Sequence, residues 1–261
     1  MPFAFFLPEL LVWNVPLFLC LAVIAIIYCY FYRKTPAAKR TDKKPLLFLA
    51  SLCLLFLLTG SPLASLSHLS FSLHMIQMSL LFFIVPPLLL AGIPVHFFKK
   101  IKSMPLLKKF TFPSKLALLL FALFFLLYHL PPVLSAITQH TALQHGYTLL
   151  LLLLACSMWW PIISPDPSQR LSKEPLRRYL WMSVSVLMPA CLLFILLAII
   201  DGTSNPYLSQ MTAALCLPEQ AGTLSLLPPP FNTRWDQITA GTLMLILHKA
   251  AIMLSLRLGN A

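Results

Sequence analysis

Of 261 residues, 59% are hydrophobic and only 10% charged, whereas a soluble domain is about a quarter charged. A water-exposed globular fold is thereby excluded. The formal net charge of +12 raises nucleic-acid binding as a reading, which the placement of the basic residues makes unnecessary.

A helix needs about 20 largely apolar residues to cross the lipid core. Seven runs qualify: 15–32, 45–61, 71–95, 115–131, 142–163, 179–200 and 237–256. The first run has no basic segment before it and is followed by Arg33 and Lys34, the reverse of a signal peptide, so it is expected to remain as a span. The first connection carries Arg33, Lys34, Lys39, Arg40, Lys43 and Lys44, and the third carries Lys99, Lys100, Lys102, Lys108, Lys109 and Lys115. Arg170, Lys173, Arg177 and Arg178 fill the fifth, and Lys249 and Arg257 lie at the end of the chain. The N-terminus and the alternate segments 62–70, 132–141 and 201–236 hold only Arg234. Basic residues concentrate on the cytoplasmic side of membrane proteins. The predicted fold is therefore all-α and polytopic, with seven transmembrane helices, the N-terminus outside and the C-terminus cytoplasmic. It forms a single domain, 1–261, with an extracytoplasmic loop at 201–236. Contact with anionic lipid accounts for the basic loops without nucleic acid.

Proline interrupts the spans at Pro86, Pro87 and Pro189. Kinks are expected there, either as bundle shaping or as a hinge, and the freed carbonyls need partners from neighbouring helices or water. In the 201–236 loop, Pro206 to Leu217 fits a short interfacial helix that Pro228, Pro229 and Pro230 cannot continue. Cys20, Cys29, Cys53, Cys156 and Cys191 fall in apolar runs and Cys216 in the outer loop, a pattern that implies no disulfide framework. Trp159, Trp160 and Pro161 close the fifth run, where indoles are expected to anchor the membrane interface.

Polar groups inside a bilayer are costly and usually face the bundle interior, which makes the seven histidines the place to look for function. His96 and His248 map toward the cytoplasmic side without polar companions at helical spacing, a structural or interfacial reading. His68, His74, His129, His140 and His145 all map to the outer loops or to the outer ends of the third, fourth and fifth spans. On the third span, His74 and Met78 share a face at i and i+4, with Gln77 beside them. Imidazole plus thioether is partial ligation for a soft ion such as Cu(I). On the fifth span, His140 aligns with Gln144, while His145 is rotated away unless the helix starts after His140. Each histidine alone also fits an interhelical hydrogen bond. Asp236 at the start of the seventh span fits either a carboxylate serving free helix amides or one that orients a histidine.

No HExxH, phosphate-binding glycine loop or GxSxG is present, and seven acidic residues leave little for acid–base work. Catalysis is disfavoured, so the chain is not expected to be an enzyme. A retinal protein needs a lysine in the middle of the seventh span, and Lys249 lies at its cytoplasmic end.

The chain resembles the multi-spanning cytochrome c oxidase assembly factor CtaG family of bacteria, which is distinct from the single-span copper chaperone sharing that name. The matching words are Ser61-Pro62-Leu63, His74-Met75-Ile76-Gln77, Pro86-Pro87-Leu88-Leu89-Leu90 and Gly92-Ile93-Pro94. His129-Leu130-Pro131, Gln144-His145, Trp159-Trp160-Pro161 and Asp236-Gln237 with Ala240-Gly241 follow in order. The resemblance implies a role in haem–copper oxidase assembly at the bacterial plasma membrane, with oxidase subunits as partners and copper placed or retained at the outer face. The family's HMxQHM element carries a second histidine where this chain has Met78, and of its HxxxH-type element in the fifth span only His145 is kept. These departures either shift the site toward Cu(I) or mark a lost metal site. The expected ligand set is His74, Met78, His129 and His145, with Asp236 as an orienting acid, converging in one outer cavity. The alternatives are a small-solute or metal-ion transporter, which requires a polar path across the midplane, and a metal-free membrane scaffold.

Overall fold

A computed structural model of the protein describes residues 12–34, 42–67, 70–102, 113–200, 231 and 234–260, and every regular element among them is helical. Most of the 201–236 loop, including Pro206 to Leu217 and Cys216, lies outside the described residues, as does His68. In chain order the helices are α1 (Val15–Arg33), α2 (Lys44–Thr59), α3 (Pro62–Ser67) and α4 (Phe71–Ser79). A π-helical turn (Leu80–Ile84) joins α4 to α5 (Val85–Gly92), and α6 (Val95–Lys102), α7 (Ser114–Tyr128) and α8 (Pro131–Thr138) follow. The remainder is α9 (Thr141–Ile163), a 3-10 turn (Pro167–Gln169), α10 (Lys173–Ile200) and α11 (Arg234–Asn260). Four of these helical stretches are long and apolar enough to cross a membrane: Val15–Arg33, Phe71–Gly92, Ala142–Ile163 and Arg234–Gly259. Helices α2 and α7 are apolar but shorter.

Individual contacts fix the direction of each long segment. Asn14 N–H donates to Gly60 O (2.8 Å) and the Tyr28 ring stacks on Phe48 at 3.9 Å, so α1 and α2 run antiparallel. Gln77 donates to Leu58 O (2.6 Å) while Gly92 abuts Phe48, which sets α4–α5 antiparallel to α2. Tyr147 donates to Phe124 O (2.8 Å), and the Tyr179 hydroxyl reaches both Ser114 O (3.3 Å) and Met158 O (2.6 Å), so α7 opposes α9. Ser183 meets His248 and Gly241 meets Cys191, which opposes α10 to α11. Asp236 bonds to Phe71 and Ser72, and twelve residues on His248 packs on Phe83 at 4.9 Å, so α11 runs parallel to α4. The seven long segments therefore alternate in direction. His74, His129, His145 and Asp236 gather at one end, the histidine end, and Lys44, Lys115, Arg170 and Arg257 at the other, the basic end.

Two glycines permit the closest helix approaches, as small residues do between membrane helices. A Cβ at Gly92 would fall 2.5 Å from Phe48 N, and one at Gly241 would fall 2.7 Å from Cys191 O. The Gly92 carbonyl also accepts the Tyr28 hydroxyl (2.7 Å), tying α1 to the third segment.

The Pro86-Pro87 pair leaves one carbonyl stranded. Residue 82 is the position for which both the i+4 and the i+5 donors are prolines, so neither an α nor a π register can serve the Phe82 carbonyl. The π turn, in which Val85 N–H bonds to Leu80 O, reaches past one proline but not both. The Trp159 indole supplies the missing donor, with Nε1 3.0 Å from Phe82 O. Trp159 is 1% exposed, which corrects its reading as an interfacial anchor: the stranded carbonyl binds it in the bundle interior. Around the break, Phe82, Phe83, Phe121 and Phe125 interlock edge to face, tilted and, for Phe121 on Phe125, stacked, with centroids 5.5–6.4 Å apart. Pro189, by contrast, sits within an uninterrupted α10.

Two segments read as loops contain helices. In α3, Pro62 takes the first position, where its missing N–H is harmless. In α8, Pro131 does the same, and Leu134 and Ile137, one turn apart, are buried. At the basic end, residues 164–172 fold against the helix ends. Trp160 Nε1 donates to Gln169 (3.0 Å) and Leu171 N–H to Pro161 O (2.9 Å). Arg170 donates through Nε to Ser164 O (2.9 Å) and through Nη1 to Gly259 O, serving the carbonyl end of α11. Burial lowers the pKa of that guanidinium and the nearby Asp166 offsets part of the effect.

Candidate functional site

The candidate site begins with the first turn of α4. A helix opens with four amides that have no partner within it. Ser70, the N-cap, accepts from Leu73 N (3.2 Å) with its side chain and from His74 N (3.1 Å) with its carbonyl. Two more of these amides, Phe71 N (2.9 Å) and Ser72 N (3.2 Å), donate to the two oxygens of Asp236, which also accepts from the Ser72 hydroxyl. Three of the four, Phe71, Ser72 and Leu73, are thus satisfied by side chains, His74 N making the first bond of the helix itself, and a buried carboxylate faces the positive end of the helix dipole. Asp236 therefore serves helix amides, as one of its two sequence readings proposed, but the helix is a neighbour rather than its own.

One turn beyond this cap, His74 points inward, 2% exposed. Its ring lies 6.0 Å from that of His129, centroid to centroid, and is stacked on Tyr128 at 6.2 Å. His129 is the C-cap of α7 and is buried. Its Nδ1 lies 2.7 Å from Phe125 O. A carbonyl only accepts, so Nδ1 carries the proton and the neutral ring keeps its lone pair on Nε2. Metal-bound histidines are commonly held this way, with the other ring nitrogen donating to a carbonyl. Met78 follows His74 by one turn on the same face and is buried. Imidazole and thioether are donor types that suit a soft, low-coordinate ion. Tyr128 walls the pair, stacked on Tyr147 at 5.6 Å and edge-on to His129 at 5.2 Å.

The other predicted residues lie elsewhere. His145 is exposed on α9, and no hydrogen bond or ring contact joins it to His74 or His129. His140 is the exposed N-cap of α9, so that helix does start after it. Gln77 is engaged structurally: its amide donates to Leu58 O (2.6 Å) and its oxygen accepts from Ser67 (2.5 Å), fastening α4 to α2 and α3. Among the described residues, no group of three or more His, Cys, Asp or Glu side chains is arranged to hold a metal ion. The five cysteines among them are free thiols.

His248 has a polar companion after all. Its Nε2 lies 3.2 Å from Ser183 Oγ on α10, and its ring packs on Phe83 (4.9 Å) and Trp159 (6.2 Å). The serine lies on another helix, 65 residues away in sequence, where spacing along α11 carries no sign of it. Tyr128, a further wall of the histidine site, had a local signal: it precedes His129 at the end of an apolar run.

Comparison with curated proteins and with solved structures returned no match. A family model, described as cytochrome c oxidase caa3 assembly factor, matches residues 26–258. That span runs from the second half of α1 almost to the end of α11 and takes in the His74–His129 pair and Asp236, and the chain belongs to the cytochrome c oxidase caa3 assembly factor family.

Proposed function

We propose that this protein is a non-catalytic assembly factor for a haem–copper cytochrome c oxidase in the bacterial plasma membrane, and that it holds Cu(I) between His74, His129 and Met78. Seven spans place the N-terminus and the histidine end outside and the C-terminus in the cytoplasm. The alternating direction of the long segments supports this topology, as do the cations at the basic end and the exposed Trp13 and Trp235 at the opposite one. The observation that carries the copper reading is the approach of two buried imidazoles from α4 and α7 to 6.0 Å. Two nitrogens and a sulfur suit Cu(I), whereas Zn(II) takes four ligands in a structural site. Asp236 acts through α4: by fixing its first turn it sets the direction in which His74 points. His145, exposed on α9, would join only as an accessory ligand near the surface.

The metal-free scaffold remains the second reading, favoured by the packing of His129 on Phe125 at 4.4 Å. The transporter reading is disfavoured by the midsection, where Phe82, Phe83, Phe121 and Leu118 are fully buried. Copper quantified in detergent-purified protein separates the first two. Bound copper in the wild type, lost in both His74→Ala and His129→Ala, is expected; equal content in all three would leave the scaffold. Deletion of the protein, scored for spectroscopically active oxidase with and without added copper, tests the assembly role. Unchanged oxidase would sink it.

A further inference from the structure

We propose that α1 carries a binding site for one anionic phospholipid, with an acyl chain along Ala25, Ile26 and Cys29 and the phosphate on Arg33 and Lys34. These residues and Tyr30 line an open groove along one side of α1. Their numbers follow i, i+1, i+4, i+5, i+8, i+9, so they form one stripe along the helix. From Ala25 to Lys34 the stripe is about 14 Å long at 1.5 Å per residue, close to the roughly 15 Å depth of one leaflet's hydrocarbon. Leu21, Tyr28 and Tyr32 are buried toward α2, Ala25 and Cys29 are half-buried at the edge of that cluster, and Ile26, Tyr30, Arg33 and Lys34 face outward. The stripe is apolar at the depth of lipid tails and cationic at the depth of headgroups.

The charge has no internal counterpart. Among the described residues the one ion pair is Arg177 with Glu174, on α10. The nearest carboxylate in the following segment, Asp42, is engaged by the Tyr32 hydroxyl (2.7 Å) and Lys44 N–H (3.2 Å). The Lys34 ammonium is already positioned: it donates to the Tyr30 hydroxyl (2.5 Å) and sits 4.3 Å above that ring's centroid. Two of its three protons stay available, beside the guanidinium of Arg33, for the oxygens of a phosphodiester. A zwitterionic headgroup would bring its own cation to the same two charges, so the site selects a lipid with net negative charge. The proposal rests on α1 as a membrane span and not on copper, so its failure would leave the assembly reading standing.

Native mass spectrometry of the full chain, purified in detergent and supplied with equal phosphatidylglycerol and phosphatidylcholine, tests it. The wild type should retain phosphatidylglycerol preferentially. Arg33→Gln with Lys34→Gln should reduce that preference by about twentyfold to thirtyfold, given the usual contribution of each basic residue near an anionic surface. Cys29→Trp, which obstructs the groove and keeps both cations, should also lower retention. Arg177→Gln with Arg178→Gln, on a different segment, should change nothing. Equal retention of both lipids by the wild type, an unaltered preference in the α1 double variant, or an equal fall in the α10 double variant would each overturn the site.

Discussion

His129 and His248 are both buried imidazoles in the same bundle, yet their surroundings differ. His129 has its Nδ1 proton committed to a backbone carbonyl and a second imidazole 6.0 Å away. His248 meets a serine hydroxyl and lies against Phe83 and Trp159, beside the Pro86-Pro87 break. Burial alone, then, does not mark a histidine as a ligand. Each has a buried methionine one turn along, Met78 from His74 and Met244 from His248, so what separates the two sites among the described residues is the second imidazole, present only at the histidine end.

The comparison is best broken at Asp236. Asp236→Ala removes three hydrogen bonds to a buried carboxylate and strands the first amides of α4, so stability should fall by about 3–5 kcal/mol. Thermal unfolding in detergent would measure this, and an unchanged midpoint would show that water serves those amides instead. Next in size, His74→Ala and His129→Ala should each weaken copper affinity by about a hundredfold or more, since even residues that only orient a ligand are worth 10–100-fold. His248→Ala should leave copper content unchanged, and a loss there would erase the distinction between the two histidines. Trp159→Phe leaves the Phe82 carbonyl without its donor and should destabilise by about 1–3 kcal/mol, with copper retained. Ser183→Ala is the mildest change, about 1 kcal/mol in unfolding, with no effect at the histidine end.

Much of this arrangement was legible in the sequence because it depends on local length and charge. The seven apolar runs each correspond to a long helical segment, and the shared face of His74 and Met78 follows from helical periodicity. What one helix's periodicity does not contain is the identity of the residues facing it across the bundle. Asp236 meets Phe71 across 165 positions, and its partner turn is recognisable only as a serine cap waiting for further acceptors. Trp159 was misplaced for the same reason: an indole near the end of an apolar run fits an interface equally well until the stranded Phe82 carbonyl is seen opposite it. His145 looked like a ligand by family pattern, but the start of α9 at Thr141 leaves it on an exposed face.

The carboxylate that serves α4 has a consequence for the order in which the chain comes into being. Synthesis delivers Phe71 and Ser72 long before Asp236, so α4 enters the membrane while the group that satisfies its first two amides has not been made. Until α11 docks, those two amides lack this acceptor, one turn before His74. α11 then completes that turn with one end and, through Arg170 and Gly259, is fastened at the other. The turn that precedes His74 is in this sense completed late in the protein's own maturation, with the docking of α11.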